Sequence, residues 1–322
     1  MDAQHGGPVE PVVVGIDDTP YALHAARWGG EEAARLGVPL RLVAVTGLVG
    51  EHLPGRVARH RALEAVLERA RGAAAAAGAD RIDATVRSGV PVSVLAQESR
   101  TARSVVVGDR GAGRMEGVLT GSVAVGLLAR ASCPVVVVRG PDRDADRDAR
   151  GPVVVGLDPS PASAAALDVA LDAAMSRGVG LVVVHAVPDG PAGLPADLLV
   201  APTAARAVLA EVEHRVLAAR AGRRRVPVRT VTVPGRAAEV LLAEARGAQL
   251  VVVGSRGCGE LVGLVGGSVS AALVHHADCP VVVVGPLAAG LGAPTGEDRR
   301  GRPVASALGS VRGTEERTTT WT

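Results

Sequence analysis

One stretch of this chain is written twice. Residues 105–122, VVVGDRGAGRMEGVLTGS, return as residues 251–268, VVVGSRGCGELVGLVGGS. In each copy a run of valines reads as a strand buried on both faces of a parallel sheet. A glycine-rich loop follows. A Gly-Ser pair, Gly121-Ser122 or Gly267-Ser268, then opens an Ala/Val/Leu segment of helical character. The spacing G-x2-G-x9-G-S runs from Gly108 and Gly111 to Gly121, and again from Gly254 and Gly257 to Gly267. Two such strand–loop–helix units in 322 residues constrain the chain to two α/β domains, each long enough for its own core.

The chemistry that asks for this spacing is phosphate binding. Gly108 and Gly111, like Gly254 and Gly257, let the backbone turn at a strand end and approach a ligand with no Cβ in the way. Successive N–H groups can line a concave anion site there. Gly121 with Ser122, and Gly267 with Ser268, add a hydroxyl and the unsatisfied amides of a helix start. The alternative is that these glycines only make tight strand-to-helix turns. Arg110 and Arg256 match across the copies and could pair with phosphate or join surface salt bridges.

With glycines at these places, both halves resemble the nucleotide loop of the universal stress protein family, and the whole chain resembles a tandem member of it. The resemblance implies ATP as the ligand, alone or with Mg²⁺. It implies binding at Gly108, Arg110, Gly111, Gly121 and Ser122 in the first half, and at Gly254, Arg256, Gly257, Gly267 and Ser268 in the second. It also puts an acidic residue near the sugar or metal at the end of each first strand, which is Asp17 here and Asp158 in the repeat. Backbone atoms at the end of each second strand would contact the base, at Val45 and Ala186. For Asp17 a second reading stays open, that of an aspartate which caps the next helix or orders the turn.

Residue types exclude other phosphate sites. All 35 basic residues are arginine, so a Walker loop, a kinase strand lysine and a pyridoxal-phosphate lysine are impossible. The dinucleotide fingerprint is not met either, because Gly111, Gly113 and Gly117, like Gly257, Gly259 and Gly263, are one residue too widely spaced. Related nucleotidyl-transfer folds call for His-x-Gly-His or Ser-Gly-Gly-x-Asp-Ser, and neither occurs. No water-positioning Gln, placed arginine finger or paired general base stands out, so slow ATP hydrolysis is the most catalysis expected and the chain is not read as an enzyme. Arginine is nearly balanced by 33 acidic residues, and with no Phe, one Tyr and two Trp there is no aromatic platform for nucleic acid. Cys133, Cys258 and Cys279 form no C-x-x-C pair, and no histidines stand at metal-ligand spacing. Cys133 and Cys279 precede prolines at strand starts and read as buried thiols. No apolar run approaches a membrane span and residues 1–9 lack a signal-peptide core, so the expected location is the cytoplasm.

Strands are expected at residues 11–17, 39–45, 82–87, 105–107 and 133–139, then at 153–158, 181–185, 228–233, 251–253 and 279–285. Helices are expected at 21–36, 60–77, 91–99 and after Ser122, then at 164–176, 203–221, 237–246 and after Ser268. Residues 48–56 read as a loop. Ala25, Trp28 and Ala33 mark one inward face, and Leu63, Val66, Leu67 and Ala70 another at i, i+3, i+4, i+7. Residues 1–140 and 152–286 are thus two universal-stress-protein-like domains, joined by a charged linker at 141–151 and followed by a disordered tail at 287–322. His185 reads as a satisfied, half-buried histidine. His275 and His276 close the last helix as cations suited to its negative end.

The resemblance further implies an adenine-nucleotide-alpha-hydrolase-like open parallel sheet, strand order 3-2-1-4-5, in each half. That order sets Asp17 across a topological switch point from the glycine loop. It leaves the fifth strand, all valine at 135–138 and at 281–284, as an edge with no charge to blunt it. The two halves, or two chains of a homodimer, are expected to dock through these strands. The expected function is a regulatory, ATP-binding stress protein without nucleic-acid or membrane partners; the alternative is an interaction scaffold of the same fold with empty loops.

Overall fold

The computed structural model describes residues 9–47, 53–109, 122–139, 150–187, 210, 214, 226–255 and 267–290. In the first half β1 (Val12–Ile16), α1 (Pro20–Leu36), β2 (Leu40–Val45), α2 (Leu53–Ala76), β3 (Ile82–Arg87), α3 (Pro91–Glu98), β4 (Ser104–Gly108), α4 (Ser122–Leu128) and β5 (Val135–Val138) follow one another. The second half repeats them as β6 (Val153–Gly156), α5 (Pro161–Arg177), β7 (Leu181–Val187), β8 (Val228–Pro234), α6 (Ala237–Glu244), β9 (Leu250–Gly254), α7 (Ser268–His276) and β10 (Val281–Val284). The long helix expected at 203–221 falls almost entirely outside the described residues, as do most of the linker and the tail from residue 291.

The strands join into one ten-stranded sheet in the order β3-β2-β1-β4-β5-β10-β9-β6-β7-β8. Each half is therefore 3-2-1-4-5, as expected, and every pairing within a half is parallel. The seam is the exception. There β5 and β10 run antiparallel with Val137 opposite Val281, Val136 opposite Val282 and Val135 opposite Val283. Each uncharged edge satisfies the other's backbone groups inside a single chain, which is what two bare parallel edges related by a pseudo-twofold require.

Alternation along the strands divides the core between the two faces. Val12, Val14 and Ile16 join α1, α2 and α5 on one face, whereas Val13 joins α3, α4, α6 and α7 on the other. Both cores cross the seam through the valines of β5 and β10, which are no more than 3% exposed. With no Phe in the chain, this packing is built from Val, Leu and Ala, each buried valine contributing about 2 kcal/mol relative to an exposed one. Trp28 is buried in the first core, as are Ala25, Ala33 and the inward residues of α2.

Two boundaries differ from the sequence reading. Helix α2 begins at Leu53, inside the stretch read as a loop. Proline, here Pro54, is tolerated in a helix's first turn, where its missing N–H has no partner to lose. Strand β7 runs on to Val187 because its whole length pairs with β8, so Ala186 is a paired strand residue, not a strand exit. Beyond β10, residues 286–290 form a turn and Ala288 and Ala289 pack against the core.

Candidate functional site

In each half the first strand lies between the second and fourth, so its carboxyl end opens onto the switch point of the sheet. Asp17 stands there, one residue beyond β1. Its Oδ1 accepts from the Thr19 backbone N–H at 3.1 Å and from the Thr19 hydroxyl at 2.5 Å. Thr19 in turn caps α1 by accepting from the Ala22 amide, with Pro20 at the first helical position. The second half rebuilds this turn with Ser160 in place of threonine, at 3.1 and 2.5 Å from Asp158 Oδ1. Ser160 then caps α5, and the Ser163 hydroxyl accepts from the Asp158 amide at 2.9 Å. The aspartate thus orders the turn, and the hydroxyl residue two positions on, not the aspartate, caps the helix.

The opposite wall is the end of the fourth strand. A Cβ on Gly108 would lie 2.9 Å from Tyr21 Cβ and 3.1 Å from that residue's carbonyl carbon and oxygen. On Gly254 it would meet the Ala162 carbonyl carbon at 3.0 Å and the Ser163 nitrogen at 3.1 Å. Neither glycine has a positive φ. The close approach of the first helical turn is by itself a sufficient reason for glycine at both positions. That approach brings the aspartate turn against the root of the glycine loop in both halves.

The loop's far end is described in the second half. Gly267 is the N-cap of α7 and brings no side chain of its own to the first amides of that helix. The Gly267 amide donates to the Ser255 carbonyl at 2.7 Å, which ties the two ends of the intervening segment together. Ser268 is exposed at the first helical position, and Ser255, 3% exposed, has no hydrogen-bond partner for its hydroxyl among the described residues. In the first half α4 starts at Ser122 as expected. Arg110, Gly111, Gly121, Arg256 and Gly257 lie outside the described residues, as does the side chain of Ser122.

On the base side, Val45 ends β2 and Ala186 lies next to the end of β7. Beyond Val45 the Thr46 carbonyl accepts from Arg59 Nε of α2 at 2.6 Å, and Gly47 forms an isolated bridge with Gly89. Gly89 and its counterpart Gly235 have φ of 133° and 132°, a region closed to other residues, so both halves require glycine at the exit of the third strand. Sequence reasoning passed over this pair, although it recurs at the same spacing from Gly108 and Gly254. His185 is buried with Nδ1 2.9 Å from the Leu157 carbonyl, the satisfied histidine expected of it. Cys133 and Cys279 are buried, as expected. Among the described residues, no three His, Cys, Asp or Glu side chains are grouped to hold a metal ion, and no helix is long and apolar enough to cross a membrane.

One electrostatic feature belongs to the first half alone. Asp109, the residue after Gly108, forms a buried ion pair with Arg139 at 3.2 Å. Arg139 also donates to the carbonyls of Val274 and His275 at 2.5 and 2.6 Å. The cation at the end of α7 is therefore an arginine from the other half. His275 has its pKa lowered from the ordinary 6.5, first by burial, then by His276 and Arg139, so the charge expected of it at that helix end is disfavoured.

The sequence model of the Universal stress protein family matches residues 8–139 and again residues 150–285. A universal stress protein of Mycobacterium tuberculosis is 36% identical over 296 residues, spanning 87% of this chain and 97% of that one. One from Mycolicibacterium smegmatis is 37% identical over 293 residues, 85% and 97% of the two chains. Among solved structures, a universal stress protein of Archaeoglobus fulgidus superposes with a TM-score of 0.65 at 21% identity, over 85% of this chain and 98% of that one. Its likeness bears on the fold. With the same sheet order in both halves and two successive matches to one family, the chain belongs to the universal stress protein family, as a tandem two-domain member.

Proposed function

We propose that this chain is a regulatory nucleotide-binding protein that holds one ATP in each half. The observation that carries the reading is the repeated juxtaposition of an aspartate turn with the root of a glycine loop, at the switch point of each half-sheet. In the second half a helix start without a side-chain cap adds amides suited to phosphate. These donors fit an adenine nucleotide: main-chain N–H groups for the phosphates, Asp17 and Asp158 beside the sugar or a phosphate-bound Mg²⁺, and the ends of β2 and β7 for the base. Lysine is dispensable in such a site. Hydrogen bonds to charged groups are worth about 1.5–3 kcal/mol each, and micromolar affinity needs only about 8 kcal/mol. Four or five contacts with base burial reach that after entropic losses. We assign no catalytic role, because nothing at the described site positions a water or a general base. Homodimerisation would use a surface other than β5, whose edge β10 already occupies.

Titration of ATP into the wild type, Gly111→Val and Gly257→Val tests the reading. Each valine is expected to abolish one binding event. Unchanged binding in both variants rejects the loop assignment, and no binding by the wild type favours the scaffold reading instead.

A further inference from the structure

The two halves are not equivalent at the roots of their loops. Asp109 and Arg139 of the first half correspond to Ser255 and Gly285 of the second. Arg139 and Asp109 are 3% and 5% exposed, and the Asp109 amide is fixed to the Val138 carbonyl at 2.9 Å. From this root the Arg139 guanidinium crosses the seam to the last carbonyls of α7, those of Val274 and His275. The other end of α7 is Gly267 and Ser268, which close the second loop through the Gly267–Ser255 hydrogen bond. A nine-residue helix is a stiff rod about 13 Å long, so what holds one end positions the other. Gly285, the residue in the place of Arg139, cannot make the reverse link. A Cβ on Gly285 would lie 2.8 Å from the Leu128 carbonyl oxygen at the end of α4, and glycine offers no cation to it.

Resting on the nucleotide reading above, we propose that Arg139 is a positioning residue that couples the two nucleotide sites. Ligand on the first loop fixes Asp109, Asp109 fixes Arg139, and Arg139 steadies α7, whose leading amides serve the second site. The second nucleotide then meets a helix already held and loses less freedom on binding, which gives positive cooperativity without a large change of shape. By linkage the second ligand favours the first by the same factor, whichever site fills first.

The test uses full-length protein carrying Gly257→Val, so that only the first loop can fill. Hydrogen exchange of the 268–276 amides is followed with and without ATP, at concentrations that saturate the first site of each protein tested. Addition of ATP is expected to slow exchange there by roughly fivefold, the lower end of ordinary allosteric coupling. Asp109→Leu and Arg139→Met, each added to that protein, should abolish the ATP-induced difference. A merely structural clamp would raise exchange with and without ATP alike and leave the difference intact. That result, or no slowing in the parent although ATP binds, overturns the coupling and leaves the nucleotide reading standing. If the parent and the wild type both fail to bind ATP, the nucleotide reading falls and the coupling falls with it. Should Arg139→Met not fold, Asp109→Leu decides, since it keeps the arginine on the helix carbonyls and takes away the carboxylate that links it to the loop.

Discussion

At the scale of single residues, the site rests on side chains that are missing as much as on those present. Gly108→Ala would drive a methyl into the backbone of Tyr21 at 3.1 Å. A cost of about 1–3 kcal/mol in denaturant unfolding is predicted, because backbone cannot yield as a flexible side chain can. The glycine was legible in the sequence from its repetition, yet its reason was not, since a neighbouring helix turn and a ligand both demand an absent Cβ. Asp17 separates in the same way. Asp17→Asn keeps an acceptor for the Thr19 amide and hydroxyl, so stability should hold within about 0.5 kcal/mol while ATP affinity in the first half falls roughly tenfold. Asp17→Ala loses the turn as well and should cost a further ~1 kcal/mol in stability. An Asn variant with undiminished affinity would confine the aspartate to the turn.

At the scale of elements, helix ends and their partners hold the layers in register. Glu32 of α1 accepts from Arg177 Nη2 of α5 at 2.7 Å and also pairs with Arg35. Glu32→Gln removes a carboxylate from both arginines, including Arg177, whose side chain is only 4% exposed. It is predicted to destabilise by about 3 kcal/mol, more than Arg177→Met, which leaves Glu32 still neutralised by Arg35. A reversed order in thermal or denaturant unfolding would show that the α1–α5 contact is not electrostatic. His275 adds a pH dependence. Its folded pKa lies below the ordinary 6.5, so the unfolded chain binds the proton more readily. Its contribution is silent above that value, and stability is lost as pH falls through 6.5 toward the folded pKa. His275→Gln should remove this loss, so that the variant's stability relative to wild type rises between pH 7 and 5. Strand and helix periodicity was readable because it is local. These pairings were not, for neither Glu32–Arg177 nor Asp109–Arg139 has a counterpart in the other repeat to reveal it.

At the scale of the molecule, the antiparallel seam of β5 and β10 turns two open sheets into one and leaves β3 and β8 at its outer edges. Uncharged valine edges at 135–138 and 281–284 announced that docking, since an unpaired edge of that composition is unstable alone. Whether the partner strand would come from the same chain was open in the sequence and is answered by the fold. The seam also brings the root of one glycine loop to within one arginine of the helix that begins at the other, so the whole account turns on two nucleotides being held in one sheet. Native mass spectrometry of the full chain in saturating ATP counts them directly. Two ATP on the wild type, one on Gly111→Val or Gly257→Val and none on the double variant is the predicted series; an unliganded wild type, or a double variant that still carries two, would contradict it.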